Sequence, residues 1–144
     1  MNRWRRIFLR LAAAGLAVGS GLAKPGLALA AAWNKTGFEA KALADAIKSL
    51  GATGAAESKD IVITAPDIAE NGAVVPIAVL SRIPNTRSIS LLAEKNPFPL
   101  AATFDVSGAD AYVSTRIKMG QTSNVRAIVQ ADGKFFTAVK EVKI

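Results

Sequence analysis

A chain of 144 residues has room for one domain. Apolar residues make up 51% of it and charged residues 20%, a balance that excludes a disordered tail. It contains no cysteine and no histidine, which excludes a disulfide framework, a thiol nucleophile, and the commonest general base and metal ligands.

The formal charge of +7 is concentrated at the start of the chain. The first 30 residues hold Arg3, Arg5, Arg6, Arg10 and Lys24 and no acid, leaving 13 basic against 11 acidic residues, a net +2, for the remainder. Nucleic-acid binding needs basic residues clustered on the folded part, and here they are interspersed with acids. No nucleic-acid partner is expected.

Trp4-Arg5-Arg6-Ile7-Phe8-Leu9-Arg10 is a twin-arginine pattern, with Arg5, Arg6, Phe8 and Leu9 as its export signal, ahead of an apolar stretch from Leu11 to Leu22. Gly15, Gly19 and Gly21 weaken that stretch as a membrane helix, and Lys24-Pro25-Gly26 breaks it. It falls short of the roughly 20 strongly apolar residues of a stable span. Ala28-Leu29-Ala30 supplies a small-x-small cleavage site, with Ala28 and Ala30 as its small residues and Ala31 as the first mature residue. Residues 1–30 therefore read as a twin-arginine signal peptide and the mature chain as periplasmic. The alternative is an uncleaved amphipathic anchor. That route moves proteins already folded, which suits a chain that must fold or pair before export.

Thr36 to Leu50 reads as one helix. Thr36 and Glu39 form a capping-box pair, Phe38, Leu43, Ile47 and Leu50 share a face, and Gly51 ends it. Ala52 to Ser58 is small and polar, a linker. Helix and linker make up 31–58.

From Asp60 the apolar period changes to two, and 59–144 reads as the β domain. Ile61-Val62-Ile63 is a short β-branched run. Ala73, Val75, Ile77 and Val79 point one way, with Pro76 predicting an edge strand or a bulge. Ile89, Leu91 and Ala93 alternate with Ser88, Ser90 and Glu94. Leu100, Ala102, Phe104 and Val106 form the next set, then Val113, Thr115, Ile117 and Met119, then Val125, Ala127 and Val129. Phe135, Thr137 and Val139 begin the last strand, where Val142 and Ile144 fall in the opposite phase and predict a bulge near Lys140. Asn71-Gly72, Pro84-Asn85, Asn96-Pro97, Ser107-Gly108, Gly120 to Asn124 and Asp132-Gly133 supply the turns. About seven short strands at this spacing, after one N-terminal helix, predict a mainly β, immunoglobulin-like sandwich, with a small barrel as the alternative.

The catalytic inventory is poor. No serine or lysine sits in a nucleophile pattern with a base in reach, so no catalytic residue, metal ligand or cofactor is assigned. Asp67 and Glu70 could pair on a helical turn, but a solvated turn accounts for them. Arg116 and Lys118 share a strand face that could receive an anion, or lie solvated or against a partner. Lys140, Glu141 and Lys143 read as edge-protecting charges.

Three longer blocks are specific in combination: Ala65 to Pro76 (APDIAENGAVVP), Glu94 to Ala101 (EKNPFPLA), and Tyr112 to Ser123 (YVSTRIKMGQTS), the last followed by Ala131 to Phe136 (ADGKFF). With the leader, they closely resemble SoxY, the carrier-subunit family of the periplasmic thiosulfate-oxidising Sox system, from about Trp33 to Ile144. The resemblance implies an immunoglobulin-like, non-catalytic carrier that forms a heterodimer with a SoxZ-type subunit. It implies export of the folded pair and delivery of covalently bound sulfur to the other periplasmic Sox enzymes. It also implies a carrier cysteine in a Gly-Gly-Cys-Gly-Gly tail beyond the last strand. This sequence ends at Lys140-Glu141-Val142-Lys143-Ile144 without it. The expectation is therefore a carrier scaffold lacking its loading residue. It is either a truncated carrier or a carrier-dead paralogue with a structural or regulatory role, set against a generic periplasmic binding sandwich.

Overall fold

The computed structural model describes residues 33–144. The export signal Arg5, Arg6, Phe8 and Leu9 and the cleavage residues Ala28 and Ala30 lie outside the described residues. Among the described residues no helix is long and apolar enough to cross a membrane.

The single helix expected from Thr36 to Leu50 is two: α1 over Lys35–Glu39 and α2 over Leu43–Ser49. Asn34, not Thr36, caps α1, its side chain accepting from the Gly37 N–H at 3.0 Å. The backbone then turns extended at Ala40 and Ala42. The break folds the second helix back on the first. Gly37 is the seat: a Cβ there would collide with Ser49 Oγ and the Asn34 side chain. With the chain bent this way, Phe38, Ala40, Leu43, Ile47 and Leu50 all reach one apolar cluster. Gly51 ends α2 as expected, at φ +73°, with its N–H on Lys48 O and the Ala52 N–H on Ile47 O. Gly37→Ala, which stabilises an ordinary helix, is expected here to destabilise by about 1–3 kcal/mol. Chemical denaturation checks it.

The expected sandwich is present, with eight strands among the described residues in sheets of five and three. These are β1 Ala56–Glu57, β2 Ile61–Thr64, β3 Val75–Ser81, β4 Thr86–Ala93, β5 Leu100–Asp105, β6 Tyr112–Ile117, β7 Ser123–Ala131 and β8 Lys134–Val142. The larger sheet runs β1-β8-β7-β4-β5, the smaller β2-β3-β6. The stretch expected to be a linker supplies β1, which pairs parallel to β8 through Ala56–Phe136 and Glu57–Thr137. The Asp132-Gly133 turn closes the β7–β8 hairpin, both residues at positive φ.

The main core fills the space between the sheets. Val75, Ile77, Val79, Ile117 and Met119 meet Ile89, Leu91, Ala93, Val125, Ala127, Val129 and Val142, which are the inward sets expected from the alternation. Several expected members lie elsewhere: Ala73 is exposed ahead of β3, Leu100, Phe135 and Thr137 are on the outer, helix side of the larger sheet, and Val139 is exposed. A second, smaller core lies on the outer face of the five-stranded sheet, where the helices cover Leu92, Leu100 and Ile128, with Phe135 beside them. Helical cover explains why β4, β7 and β8 are apolar on both faces. It also explains why Ser90, expected to face water, is buried and hydrogen-bonded to Thr103 at 3.1 Å.

Two strand irregularities differ from expectation. The β7–β8 ladder runs from Ser123–Val142 to Ala131–Lys134 without a shift, so there is no bulge near Lys140. Phe136, Ala138 and Val142 face the main core, while Phe135 and Thr137 face the opposite way, so the apparent phase slip is two faces read as one. Irregularities lie instead on β4: against β7 the register shifts between Thr86 and Ser88, and against β5 Leu91 pairs with Ala102 but Leu92 with Leu100. Ala101 is the extra residue, and it turns Leu100 to the helix side while Phe104 stays on the main core. Nor is β3 an edge strand: it lies between β2 and β6. Pro76 is tolerated because β2 reaches only as far as Ala78, so at Pro76 the strand is flanked by β6 alone.

Candidate functional site

Three loops and the end of β8 converge at one end of the sandwich. The loops are residues 65–74 between β2 and β3, 94–99 between β4 and β5, and 118–122 between β6 and β7. Each contains turn-forming residues that the sequence marks, and cross-loop hydrogen bonds fasten them together. Asn96 is the main fastener: its Nδ2 donates to Lys118 O at 2.7 Å and its Oδ1 accepts from the Gly120 N–H at 3.2 Å. Ser123 Oγ accepts from the Lys95 N–H at 3.0 Å, and the Met119 N–H donates to Gly72 O at 2.7 Å.

The last residues of the chain are sewn into this rim. Lys143 donates its N–H to Asp67 O at 3.0 Å and accepts from the Ala69 N–H at 2.7 Å, a parallel bridge centred on Ile68. The Ile144 N–H donates to Thr122 Oγ1 at 3.0 Å. A Cβ on Gly72 would sit 3.1 Å from Ile144 Cγ2 and 2.5 Å from Met119 O, so the close approach of the loop needs glycine. Around this anchored end Ile68, Val74, Phe98 and Ile144 expose large apolar side chains, Ile68 to 68%. A rigid rim with an apolar collar can hold a terminal segment in place and offer it to another surface.

The rim holds no catalytic constellation. Asp67 and Glu70, the imagined carboxylate pair, lie on an extended segment rather than a helical turn. Asp67 instead meets Lys140 Nζ at 3.1 Å. Lys140 belongs to the inward phase of β8, between Ala138 and Val142, and this contact takes its ammonium to the open edge of the sandwich. Asp67 is 91% exposed, so the pair contributes little to stability. Glu141 and Lys143 are exposed at the strand end. Among the described residues no group of three or more acidic, histidine or cysteine side chains could hold a metal ion.

A firmer polar contact braces the strands behind the rim. Glu94 Oε1 accepts from Arg126 Nε at 2.8 Å and lies 2.7 Å from Arg126 Nη2, while Arg126 Nη1 donates to Thr137. Asn124 Nδ2 donates to Glu94 Oε2 at 3.3 Å. This partly buried network ties the ends of β4, β7 and β8 together. Arg116 is exposed on the outer face of β6, and Lys118, also exposed, follows in the rim loop itself, its carbonyl held by Asn96. Sequence reasoning marks Asn96, Gly72 and Thr122 only as turn residues. Their anchoring role depends on loops that arrive from 20 or more residues away.

Comparison with known proteins places this architecture. The family model described as "Sulfur oxidation protein SoxY" matches residues 47–144. The structure is similar to that of the sulfur carrier protein SoxY from Chlorobium limicola f thiosulfatophilum, at 42% identity and a TM-score of 0.64, covering 78% of this chain and 99% of that one. It is also similar to a superoxide reductase (neelaredoxin) from Ignicoccus hospitalis, at 24% identity and a TM-score of 0.51, covering 64% of this chain and 89% of that one. At that identity the likeness is one of fold alone. No curated protein matches the sequence. The family match spans more than half of the chain and includes every strand, the rim and the anchored end of β8, and the chain belongs to the SoxY family of sulfur oxidation proteins.

Proposed function

We propose that this chain is the scaffold of a periplasmic sulfur carrier in thiosulfate oxidation. On this reading it is exported by the twin-arginine route through Arg5, Arg6, Phe8 and Leu9, and cleaved after Ala30. It pairs with a SoxZ-type subunit and carries sulfur on a cysteine that follows Ile144. Covalent sulfur needs a thiol, and the 144 residues contain none. On this reading the loading cysteine stands beyond the anchored end of β8, in a Gly-rich segment that other periplasmic Sox enzymes can admit.

The observation that carries the reading is the anchored terminus. Lys143 and Ile144 are held by Asp67, Ala69 and Thr122 amid an exposed apolar collar. A flexible arm starting there would move about a fixed base, and the collar would meet whichever enzyme receives it.

Pairing is the property to test first. Co-expression of the chain with a SoxZ-type subunit is expected to give a 1:1 complex that stays together through size exclusion and sedimentation. A chain that elutes as a monomer beside its intended partner would falsify the pairing.

A further inference from the structure

Asn71 differs from every other asparagine among the described residues. Asn34, Asn85, Asn96 and Asn124 each donate a hydrogen bond from Nδ2, to Ser49, Asp132, Lys118 and Glu94 respectively. Asn71 is exposed, and its Nδ2 donates to nothing among the described residues. It is also the one asparagine of the chain that precedes a glycine. Its Oδ1, by contrast, is held. The Ala73 N–H donates to it at 2.9 Å, which curls the side-chain amide over the main chain that follows and draws electron density from its carbonyl carbon. The Gly72 N–H, next to that carbon in the chain, has no acceptor among the described residues.

We propose that Asn71 is a self-modifying site in the rim: the Gly72 amide nitrogen attacks Asn71 Cγ and converts the asparagine to isoaspartate and aspartate. In the first step the N–Cγ bond forms, the Gly72 nitrogen gives its proton to hydroxide, and the Cγ–Nδ2 bond breaks with Nδ2 leaving as ammonia. The cyclic imide then takes up water at either carbonyl. Opening on one side gives aspartate, and opening on the other gives isoaspartate, whose main chain runs through Cβ and Cγ. The sum is hydrolysis of an amide, with no oxidant or reductant. Glycine lets the nitrogen in, because residue 72 has no Cβ to crowd the approach or restrict the rotation of the main chain. The rim needs that glycine, since a Cβ there would lie 2.5 Å from Met119 O, and Asn71 supplies the oxygen that makes the turn. The pair that builds the turn is the labile pair. Two hydrogen bonds hold the main chain back from attack, Val74 N–H to Asn71 O at 3.2 Å and Met119 N–H to Gly72 O at 2.7 Å, so the reaction proceeds from local openings of this exposed loop.

Asn71 lies between two fastenings of the loop, the Ala69 N–H on Lys143 O and Gly72 O on the Met119 N–H. Aspartate keeps the turn, because its carboxylate still accepts from Ala73. Isoaspartate puts an extra backbone atom between the fastenings and makes a carboxylate of the carbonyl that accepts from Val74. It therefore loosens the anchored end of β8. The chemistry is independent of pairing and of cargo.

The test incubates the full chain, folded, in mildly alkaline buffer and follows each asparagine by peptide mapping. Enzymatic methylation of isoaspartyl groups identifies the branched product. Asn71 is expected to lose its amide at least ~10-fold faster than Asn34, Asn85, Asn96 or Asn124. Hydrogen exchange at the Ala69, Met119 and Lys143 amides is expected to be faster in the isoaspartyl fraction than in an Asn71→Asp chain, which keeps the turn. An Asn71 that converts no faster than the other asparagines, or only after unfolding in denaturant, overturns the site. Aspartate without isoaspartate overturns the cyclic route, and equal exchange in the two forms overturns the loosening of the anchored end.

Discussion

A chain extended past Ile144 by Gly-Gly-Cys-Gly-Gly is expected to take up one sulfur adduct from tetrathionate, while the 144-residue chain takes up none. The chemistry is an exchange. The cysteine thiolate attacks one of the two central sulfurs of tetrathionate, a sulfur–sulfur bond forms, the central bond breaks, and thiosulfate leaves with the electron pair, so no external oxidant is needed. The 144 residues offer no thiolate for that attack. Glycines on either side of the cysteine give the arm little bulk and wide backbone freedom. Its base stays fixed by the Lys143 and Ile144 hydrogen bonds. Intact-mass spectrometry reads the result, and a tail bearing serine in place of cysteine should return the mass of the unloaded protein. The effect is all or none, which makes it the largest expected here.

Gly72→Val is expected to have the largest effect on the rim. Gly72 has no positive φ, so its requirement is one of space. An added Cβ would meet Met119 O at 2.5 Å, and real Cβ atoms essentially never come within 3.0 Å of a backbone atom. The loop must move away, which strains the Met119 N–H bond to Gly72 O and displaces Ile144. Overpacking of this kind costs about 1–3 kcal/mol. Because the loop also holds Lys143 through Asp67 and Ala69, the anchored end should loosen locally as well as globally. Hydrogen exchange at the Ala69, Met119 and Lys143 amides should accelerate by more than the global loss of stability explains. Unchanged protection at all three would contradict the role given to this glycine.

Most of the fold is legible in the sequence because one side of each strand faces a single dry space. Val75, Ile77 and Val79 repeat at a period of two, as do Val125, Ala127 and Val129, and each set is buried in the main core. The reading weakens wherever a second surface is covered. Leu92 and Ile128 occupy positions that alternation assigns to water, and Phe135, read as inward, faces the same outer side; all three are apolar because α1 and α2 lie over them. The same cover makes β8 look out of phase and suggests a bulge at Lys140, whereas the bulge lies at Ala101 and its cause is a register set by two strands together.

The helix break is hidden for a similar reason. The run from Thr36 to Leu50 has helical period and a plausible capping box, and local pattern alone favours one helix. What ends α1 is tertiary: Gly37 packs against Ser49 and Asn34, which needs the chain to fold back at Ala40. The rim is half legible. Asn96 and Gly72 declare turns, but that Asn96 bonds Lys118 and Gly120, or that Thr122 receives Ile144, depends on contacts no local pattern encodes.

On the proposed function sulfur is held outside the described sandwich, on a thiol reached from the fixed end of β8. Peptide mapping by mass spectrometry of the protein taken from cells oxidising thiosulfate measures this directly. The expected result is a sulfur adduct on a cysteine C-terminal to Ile144. An adduct mapped to any of the 144 residues would contradict it.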